Sequence, residues 1–543
     1  MLDTLVVMRE RIDEAAFVAV TFARAGMVQA ENPLRALKSL DALRRWGTSI
    51  AGGYASAAIR RPSATALIDD EGSLSFAELD QRANELARGL SAAGIAAGDG
   101  IAVICRNHRY FVEVTIAADR IGADLIFLNT MFAAPQVSDV CNQERPVAIV
   151  YDEEFSEAVA PASEGRIPLI AWSEGSSSGE VPTLDQLRAG QSSAPLKPPP
   201  APGRVIILTS GTTGTPKGAQ REQPSSLIPA ASLLAVIPLR ARGITLIAPP
   251  LFHSWGMAHF SLALMLTSTI VLQRGFDPEQ SLIAAARHGA ETLVIVPVML
   301  QRMVDLPADA LLGVDLSRLK VIAASGSTFP GELALRAMDR FGDTLYNLYG
   351  STEVAWATVA GPADLRDAPG TAGRPPRGTV VKLFDEHDRP VTEVGVTGRI
   401  FVGNGLGFEG YTGGETKQQI DGLMSAGDLG HFDAEGRLYI DGRDDEMIIS
   451  GGENVFPREV EDLLADHPGV LEVAVIGVAD ADWGQRLRAF VVTSAEGGPD
   501  EAELQALVRD RLARYKVPRE VIFIDELPRN ATGKVLRRNL ESQ

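Results

Sequence analysis

Residues Thr209, Ser210, Gly211, Thr212, Thr213, Gly214, Thr215, Pro216, Lys217 and Gly218 form a run whose residue types suit the gripping of phosphate. The glycines let backbone N–H groups approach an anion closely, the five hydroxyls add donors, and Lys217 adds a point charge. An apolar, largely β-branched stretch, 205–208, precedes the run and reads as a buried strand that opens into it. The common P-loop pattern, Gly-x-x-x-x-Gly-Lys-Ser/Thr, cannot be threaded through these residues. The expected chemistry is therefore the handling of a nucleoside triphosphate, in a manner unlike that of a kinase or GTPase.

Four further groups follow in order: Tyr349-Gly350-Ser351-Thr352-Glu353, Gly427-Asp428, Gly442-Arg443, and Asn530-Ala531-Thr532-Gly533-Lys534. Each has an ordinary reading by itself. Glu353 would cap a helix, Asp428 a turn, and Lys534 would be a solvated surface lysine. Their joint occurrence in this order, after the phosphate-gripping loop, overturns those readings. Together they resemble the adenylate-forming superfamily of acyl- and aryl-CoA synthetases, peptide-synthetase adenylation domains and firefly luciferase. The resemblance runs from about residue 55 to the C-terminus.

The resemblance implies an α/β fold: a large N-terminal domain of two α/β subdomains plus a small β-barrel, followed by a small mobile α/β C-terminal domain. The expected boundaries are a helical N-terminal extension at 1–50, an ATP- and acyl-binding domain at 51–443 and a mobile domain at 444–543. It implies that ATP converts a carboxylate into an acyl-adenylate with loss of pyrophosphate, a reaction that depends on positioning and on neutralising crowded anionic oxygens. By resemblance, residues 209–218 hold the β- and γ-phosphates and Glu353 is the Mg²⁺ ligand. Thr352 donates to the α-phosphate, and Gly350 and Ser351 belong to the same nucleotide-binding motif. Tyr349 stacks on adenine, Gly326 in Ser325-Gly326-Ser327 lies against its other face, Asp428 accepts the ribose hydroxyls, and Arg443 also reaches the ribose. Lys534 bridges the carboxylate and α-phosphate oxygens during adenylation. Ala426 stands where Thr is usual before Gly-Asp, but the carboxylate is kept.

Asp445 matches the family's hinge residue, at which the C-terminal domain rotates between half-reactions, withdrawing Lys534. The face then presented carries Gly451 and Gly452, a pair able to pass close to a thin pantetheine arm, and Trp483 resembles a tryptophan found beside pantetheine in related CoA ligases. The ordinary readings, a glycine turn and a core tryptophan, stand beside these. CoA is thus the expected thiol co-substrate, alongside ATP and Mg²⁺.

Residues 250–256, Pro-Leu-Phe-His-Ser-Trp-Gly, resemble the segment that gates the acyl site. His253 is expected to position rather than transfer a proton, because the acid arrives ionised. Trp255, Gly256 and Trp356 are candidates for the acyl pocket, and Trp255 reads equally as core. The stretch 243–273 has no Asp, Glu, Lys or Arg. Its prolines and histidines argue against a membrane span, so it reads as core that lines a pocket. With no charged residue in the expected lining, a medium- or long-chain fatty acid is the first expectation and an aryl acid the second. A carrier-protein-loading acyl-AMP ligase and a non-catalytic lipid- or nucleotide-binding relative are the rivals.

These residues need a frame to hold them, and the chain is long enough for several folding units. Ser75 and Glu78 spell a capping box, after which Phe76, Leu79, Ala83, Leu86 and Leu90 make one helical face. Strand-like runs at 101–105, 124–128, 147–151, 169–172, 293–296 and 319–324 alternate with helical segments, as in a parallel sheet covered by helices. Short glycine-punctuated strands at 380–384 and 399–402 suggest an antiparallel or barrel-like unit. The segment 173–203, rich in Ser and Pro, reads as a surface connection.

A net charge of −19 excludes nucleic acid as a natural partner. Two cysteines, Cys105 and Cys141, imply no disulfide framework and fit a reducing cytoplasm, and the N-terminus does not read as a signal peptide. Residues 1–50 carry apolar positions interleaved with arginines. They read as helix, either packed on the body or lying on a membrane surface or partner. A homodimer is left open.

Overall fold

The computed structural model describes residues 2–29, 32–175, 179–209, 217–221, 226–327, 329–414, 416–444, 448–450, 453–480, 484–494, 498–512, 514–530 and 533–541. Two compact units are formed, Met1–Ala324 with Asn404–Thr416, and Ser325–Gly403 with Lys417–Gln543.

The first unit contains two largely parallel sheets. One runs in the order Val321–Ala324, Thr292–Ile295, Ile244–Ile247, Thr269–Leu272, Thr65–Asp69 and Gly72–Ser75, with only the last pair antiparallel. The other runs Phe408–Tyr411, Lys217–Arg221, Val205–Thr209, Asp124–Phe127, Gly100–Ile104, Ala148–Tyr151 and Ile167–Ile170. It is parallel from Val205–Thr209 onward, and its first two pairings are antiparallel. The inner parallel strands, such as Gly100–Ile104, Asp124–Phe127, Ala148–Tyr151, Thr292–Ile295 and Val321–Ala324, are largely apolar and buried, as expected of a parallel sheet covered on both faces.

Local sequence explains the helices. Ser75 Oγ accepts the Glu78 N–H while Glu78 Oε2 accepts the Ser75 N–H at 2.8 Å, closing both halves of the expected capping box. Phe76, Leu79, Ala83, Leu86 and Leu90 are all buried, as their spacing predicts. The stretch 243–273 resolves into strand Ile244–Ile247, helix Ser254–Met265 and strand Thr269–Leu272. Among the described residues no helix is long and apolar enough to cross a membrane. Both cysteines are free and buried.

The segment 173–203 differs from the solvated connector its composition suggests. Thr183 and Gln186 form a second capping box that starts helix Leu184–Arg188, and Leu184 is fully buried. This helix comes so close to Gly89 that a Cβ there would lie 2.4 Å from the Leu187 carbonyl oxygen.

Three helices open the chain: α1 (Leu2–Arg24), α2 (Pro33–Trp46) and α3 (Ile50–Arg60). The α3 helix docks on the body, with the Ala51 N–H donating to Asp119 Oδ2 at 2.7 Å.

The second unit holds an antiparallel pair, Leu345–Tyr349 with Thr358–Ala360. It also holds a six-stranded antiparallel sheet that includes Val380–Phe384, Gly398–Gly403, Leu423–Phe432 and Leu438–Arg443. Ile400, Val402, Leu383 and Leu438 form the core of that sheet. Beyond it, a five-stranded sheet built on Val470–Asp480 and Gly484–Thr493 packs with helices Pro457–Ala465 and Glu501–Arg511.

Candidate active site

In the first unit, Val205–Thr209 and Lys217–Arg221 pair antiparallel, with Thr209 opposite Lys217. The two ends of the run expected to grip phosphate are thus tied by backbone pairing. Ser210, Gly211, Thr212, Thr213, Gly214 and Thr215 lie outside the described residues. The Lys217 ammonium sits 5.7 Å from the centroid of the Tyr411 ring, on the strand that flanks this pair. Gly218 is needed there, since a Cβ would lie 2.9 Å from Thr412 Oγ1 and 2.7 Å from an Ile206 methyl.

The acyl-site segment turns into helix Ser254–Met265. His253 precedes its first residue, with its ring centroid 4.5 Å from that of Phe252 and its Nε2 buried without a hydrogen-bond partner among the described residues. Burial lowers its pKa to about 3, so the imidazole is neutral and cannot act as a proton donor near neutral pH. Trp255 donates its indole N–H to the Ile295 carbonyl at 2.9 Å and meets His259 edge-on at 4.4 Å. Gly256 has a packing role of its own, because a Cβ there would lie 2.3 Å from the Pro250 carbonyl oxygen.

Sequence reasoning missed the residue that holds this segment. Asn107 is buried, donates Nδ2–H to the Pro249 carbonyl at 2.9 Å, and accepts the Leu251 N–H at 2.8 Å. These two bonds to backbone fix the turn that leads into His253. Nothing local signals this, since Asn107 lies more than 140 positions upstream of its partners.

A second cluster that the sequence did not flag is Cys105, His108 and Asp152, all buried, with candidate ligand atoms within 4.8 Å of one another. His108 Nε2 pairs with Asp152 Oδ1 at 2.8 Å, and Asp152 Oδ2 accepts the Arg106 N–H. This soft and nitrogenous set does not match the all-oxygen shell that Mg²⁺ demands.

In the second unit, Tyr349 ends its strand and Gly350 begins a tight loop. A Cβ on Gly350 would lie 2.1 Å from the Ala355 carbonyl oxygen, and the loop is closed by the Ala357 N–H on the Tyr349 carbonyl at 2.8 Å. Ser351 Oγ accepts the N–H groups of Glu353 and Val354, which turns Thr352 and Glu353 onto the loop. The Glu353 carboxylate and Thr352 hydroxyl are hard oxygen donors, the chemistry that suits Mg²⁺. Trp356, beyond Val354 and Ala355, is half-buried. Gly326 adopts φ +105°, a conformation that favours glycine.

Three of the candidate nucleotide residues meet. Asp428 stands opposite Arg443 in the antiparallel pairing of Leu423–Phe432 with Leu438–Arg443. Its Oδ2 accepts the Tyr349 hydroxyl at 2.6 Å, and its Oδ1 faces Arg443 Nη1 at 3.4 Å. Burial, and then the Asp428 charge, push the Tyr349 phenol well above its ordinary pKa, so it stays a donor. Gly427, at φ +77°, turns the strand just before the carboxylate.

Lys534 projects an exposed side chain from a turn that its own backbone closes. The Asn530 N–H donates to the Lys534 carbonyl, and Asn530 Oδ1 accepts the Lys534 N–H, both at 2.9 Å. Asp445, Gly451, Gly452 and Trp483 lie outside the described residues.

Comparison with known proteins places this geometry. The AMP-binding enzyme model matches residues 54–412, and the AMP-binding enzyme C-terminal domain matches 459–534. Feruloyl-CoA synthase of Amycolatopsis sp is 33% identical over 89% of the chain and 98% of its own length. Indoleacetate–CoA ligase of Aromatoleum aromaticum is 33% identical over 87% and 94%. The structure of o-succinylbenzoate CoA synthetase from Bacillus subtilis with its acyl-adenylate intermediate superposes with a TM-score of 0.77 at 26% identity, covering 90% of this chain and 97% of that one. The chain belongs to the AMP-binding enzyme family, with its α/β adenylate-forming fold of a large N-terminal and a small C-terminal domain.

Proposed function

We propose that this chain, an AMP-forming CoA ligase by family, activates an aryl or arylalkyl carboxylic acid and transfers it to CoA. The meeting of Tyr349, Asp428 and Arg443 carries the adenylation half: a ring edge held by a carboxylate that is itself placed to accept hydroxyls suits an adenosine. The acid class draws on the relatives, whose names specify feruloyl, indoleacetate and o-succinylbenzoate substrates. A medium- or long-chain fatty acid is the second reading, favoured by the uncharged segment 243–273 and the apolar burial of Met257 and Phe260.

In the first half-reaction a carboxylate oxygen of the acid bonds to the α-phosphorus of ATP, and the bond to the pyrophosphate oxygen breaks. The run 209–218 grips the departing pyrophosphate, Thr352 donates to the α-phosphate, and Lys534 balances charge on both reacting groups. Glu353 would hold Mg²⁺, which supplies further neutralisation of phosphate charge when bound. Asp428 and Arg443 orient the ribose. In the second half-reaction the CoA thiolate attacks the acyl carbon and AMP leaves with the bonding pair. Rotation about Asp445 brings Gly451, Gly452 and Trp483 to line the pantetheine path.

CoA-dependent AMP release over a panel of hydroxycinnamic, indole-3-alkanoic, benzoic and straight-chain acids tests the reading. The highest kcat/KM is expected among the aromatic acids. A maximum among C8–C16 alkanoic acids would transfer the assignment to the second reading, and thioester formation only on a carrier protein would remove CoA as the acceptor.

A further inference from the structure

The α2 helix is mounted inside out. Asn32 accepts the Leu34 N–H, Pro33 begins the helix, and Arg44 and Arg45 fall in its last turn, so it is well formed and well capped. A helix laid on a protein body ordinarily buries its large apolar residues. Here the face turned to α3 is made of small side chains: Ser39 and Ala42 are buried, and Ser39 Oγ lies 2.8 Å from Ser56 Oγ. The approach is close, since a Cβ on Gly52 of α3 would lie 2.9 Å from the Trp46 Cβ. Three of its four leucines are left exposed. Leu34, Leu37 and Leu40, three residues apart and so on one face, are 69%, 64% and 62% exposed.

The charges around this stripe are unlike those of the rest of the chain. Against a net charge of −19, residues 33–46 carry Arg35, Lys38, Arg44 and Arg45 and a single acid, Asp41, which pairs with Arg45. A second copy of the same face would bring four more cations against these four. An anionic bilayer would instead receive the leucines among its acyl chains and the cations among its headgroups. We infer that α2 docks this protein on an anionic lipid surface, with Leu34, Leu37 and Leu40 inserted and Arg35, Lys38, Arg44 and Arg45 at the headgroups.

Co-sedimentation of the full chain with phosphatidylcholine vesicles, with and without phosphatidylglycerol, tests this. Binding is expected only to the anionic vesicles and is expected to weaken as salt is raised. A Leu34→Gln/Leu37→Gln/Leu40→Gln variant should lower the partition coefficient roughly tenfold or more. An Arg35→Gln/Lys38→Gln variant should lower it about fivefold per charge removed. Both variants should keep wild-type ATP–pyrophosphate exchange, which shows that they are folded. Equal binding to neutral and anionic vesicles, or none to either, would overturn the proposal. So would a wild-type dimer that the triple leucine variant converts to monomer, because the face would then be a self-interface.

Discussion

The Tyr349 hydroxyl donates to Asp428 Oδ2 at 2.6 Å, tying the residue proposed for adenine to the residue proposed for ribose. The phenol is held protonated by burial and by the Asp428 charge, so it can only donate in this bond. Tyr349→Phe keeps the ring and removes the donor. Its KM for ATP should rise about fivefold with little change in kcat, the size expected for one hydrogen bond to a charged acceptor. Asp428→Asn should raise the same KM by roughly a hundredfold, because a charged acceptor shared with Arg443 is lost. ATP–pyrophosphate exchange measures both. An unchanged ATP KM in the two variants would remove the pair from the nucleotide site.

Lys534 offers a sharper separation of the two half-reactions. Its turn is closed by backbone and Asn530 bonds that do not involve its ammonium, so Lys534→Ala should leave the local structure intact. Acyl-adenylate formation should fall by on the order of 10² to 10³. Thioester formation from supplied acyl-adenylate and CoA should persist. Equal loss of both steps would contradict a lysine that serves adenylation alone.

What could be read from the sequence was local. The Ser75–Glu78 capping box and the buried face from Phe76 to Leu90 follow from spacings of three and four residues, and the strand Val380–Phe384 has the expected ends. The order of the nucleotide motifs led to Tyr349, Asp428 and Arg443, which the fold brings together. What escaped depends on partners distant in sequence. Asn107 grips the 249–251 turn from far upstream, and strand Phe408–Tyr411 closes on the 217–221 strand across some 190 residues. In the α2 helix too, which face is buried is decided by small residues that fit a neighbouring helix, α3. The Thr183–Gln186 capping box is a local signal too, but the reading of 173–203 rests on its Ser- and Pro-rich composition and does not use it.

Gly350 tests how far the nucleotide loop depends on close packing. A Cβ would lie 2.1 Å from the Ala355 carbonyl oxygen, which is backbone and cannot swing aside, so Gly350→Ala must displace the loop carrying Thr352 and Glu353. ATP–pyrophosphate exchange should fall at least roughly tenfold, since misplacement by about 1 Å is enough for a large loss. Gly275→Ala, where a Cβ meets nothing within 4 Å, is the matched control and should retain activity. Similar activity in both variants would show that the loop tolerates movement.

Trp255 is fixed by its bond to the Ile295 carbonyl and by its edge contact with His259. An anchored indole is a wall and not a swinging gate, and removing it should change which acids fit. Trp255→Ala should shift the preferred acid toward bulkier members of the panel and raise the KM for the best wild-type acid roughly tenfold. The ATP KM should stay constant. An unaltered ranking of acids would return Trp255 to the core.

The six-stranded antiparallel sheet of the second unit carries its own pH dependence. His431 Nδ1 lies 2.8 Å from Asp441 Oδ1, its ring stacks on Tyr439, and Thr397 Oγ1 holds the same carboxylate at 2.6 Å. The hydrogen bond to Asp441 raises the His431 pKa above its ordinary value. A raised folded-state pKa means that the stabilisation is fully present below the unfolded value, near 6.5, and is lost as pH rises through the folded value. His431→Gln should therefore cost roughly 0.5–1 kcal/mol at about pH 5.5 and progressively less toward about pH 8.5, as the wild-type imidazole loses its charge. Urea unfolding of both proteins at the two pH values measures the difference. A cost that is the same at both, or larger at the alkaline one, would mean that the pair contributes nothing through charge.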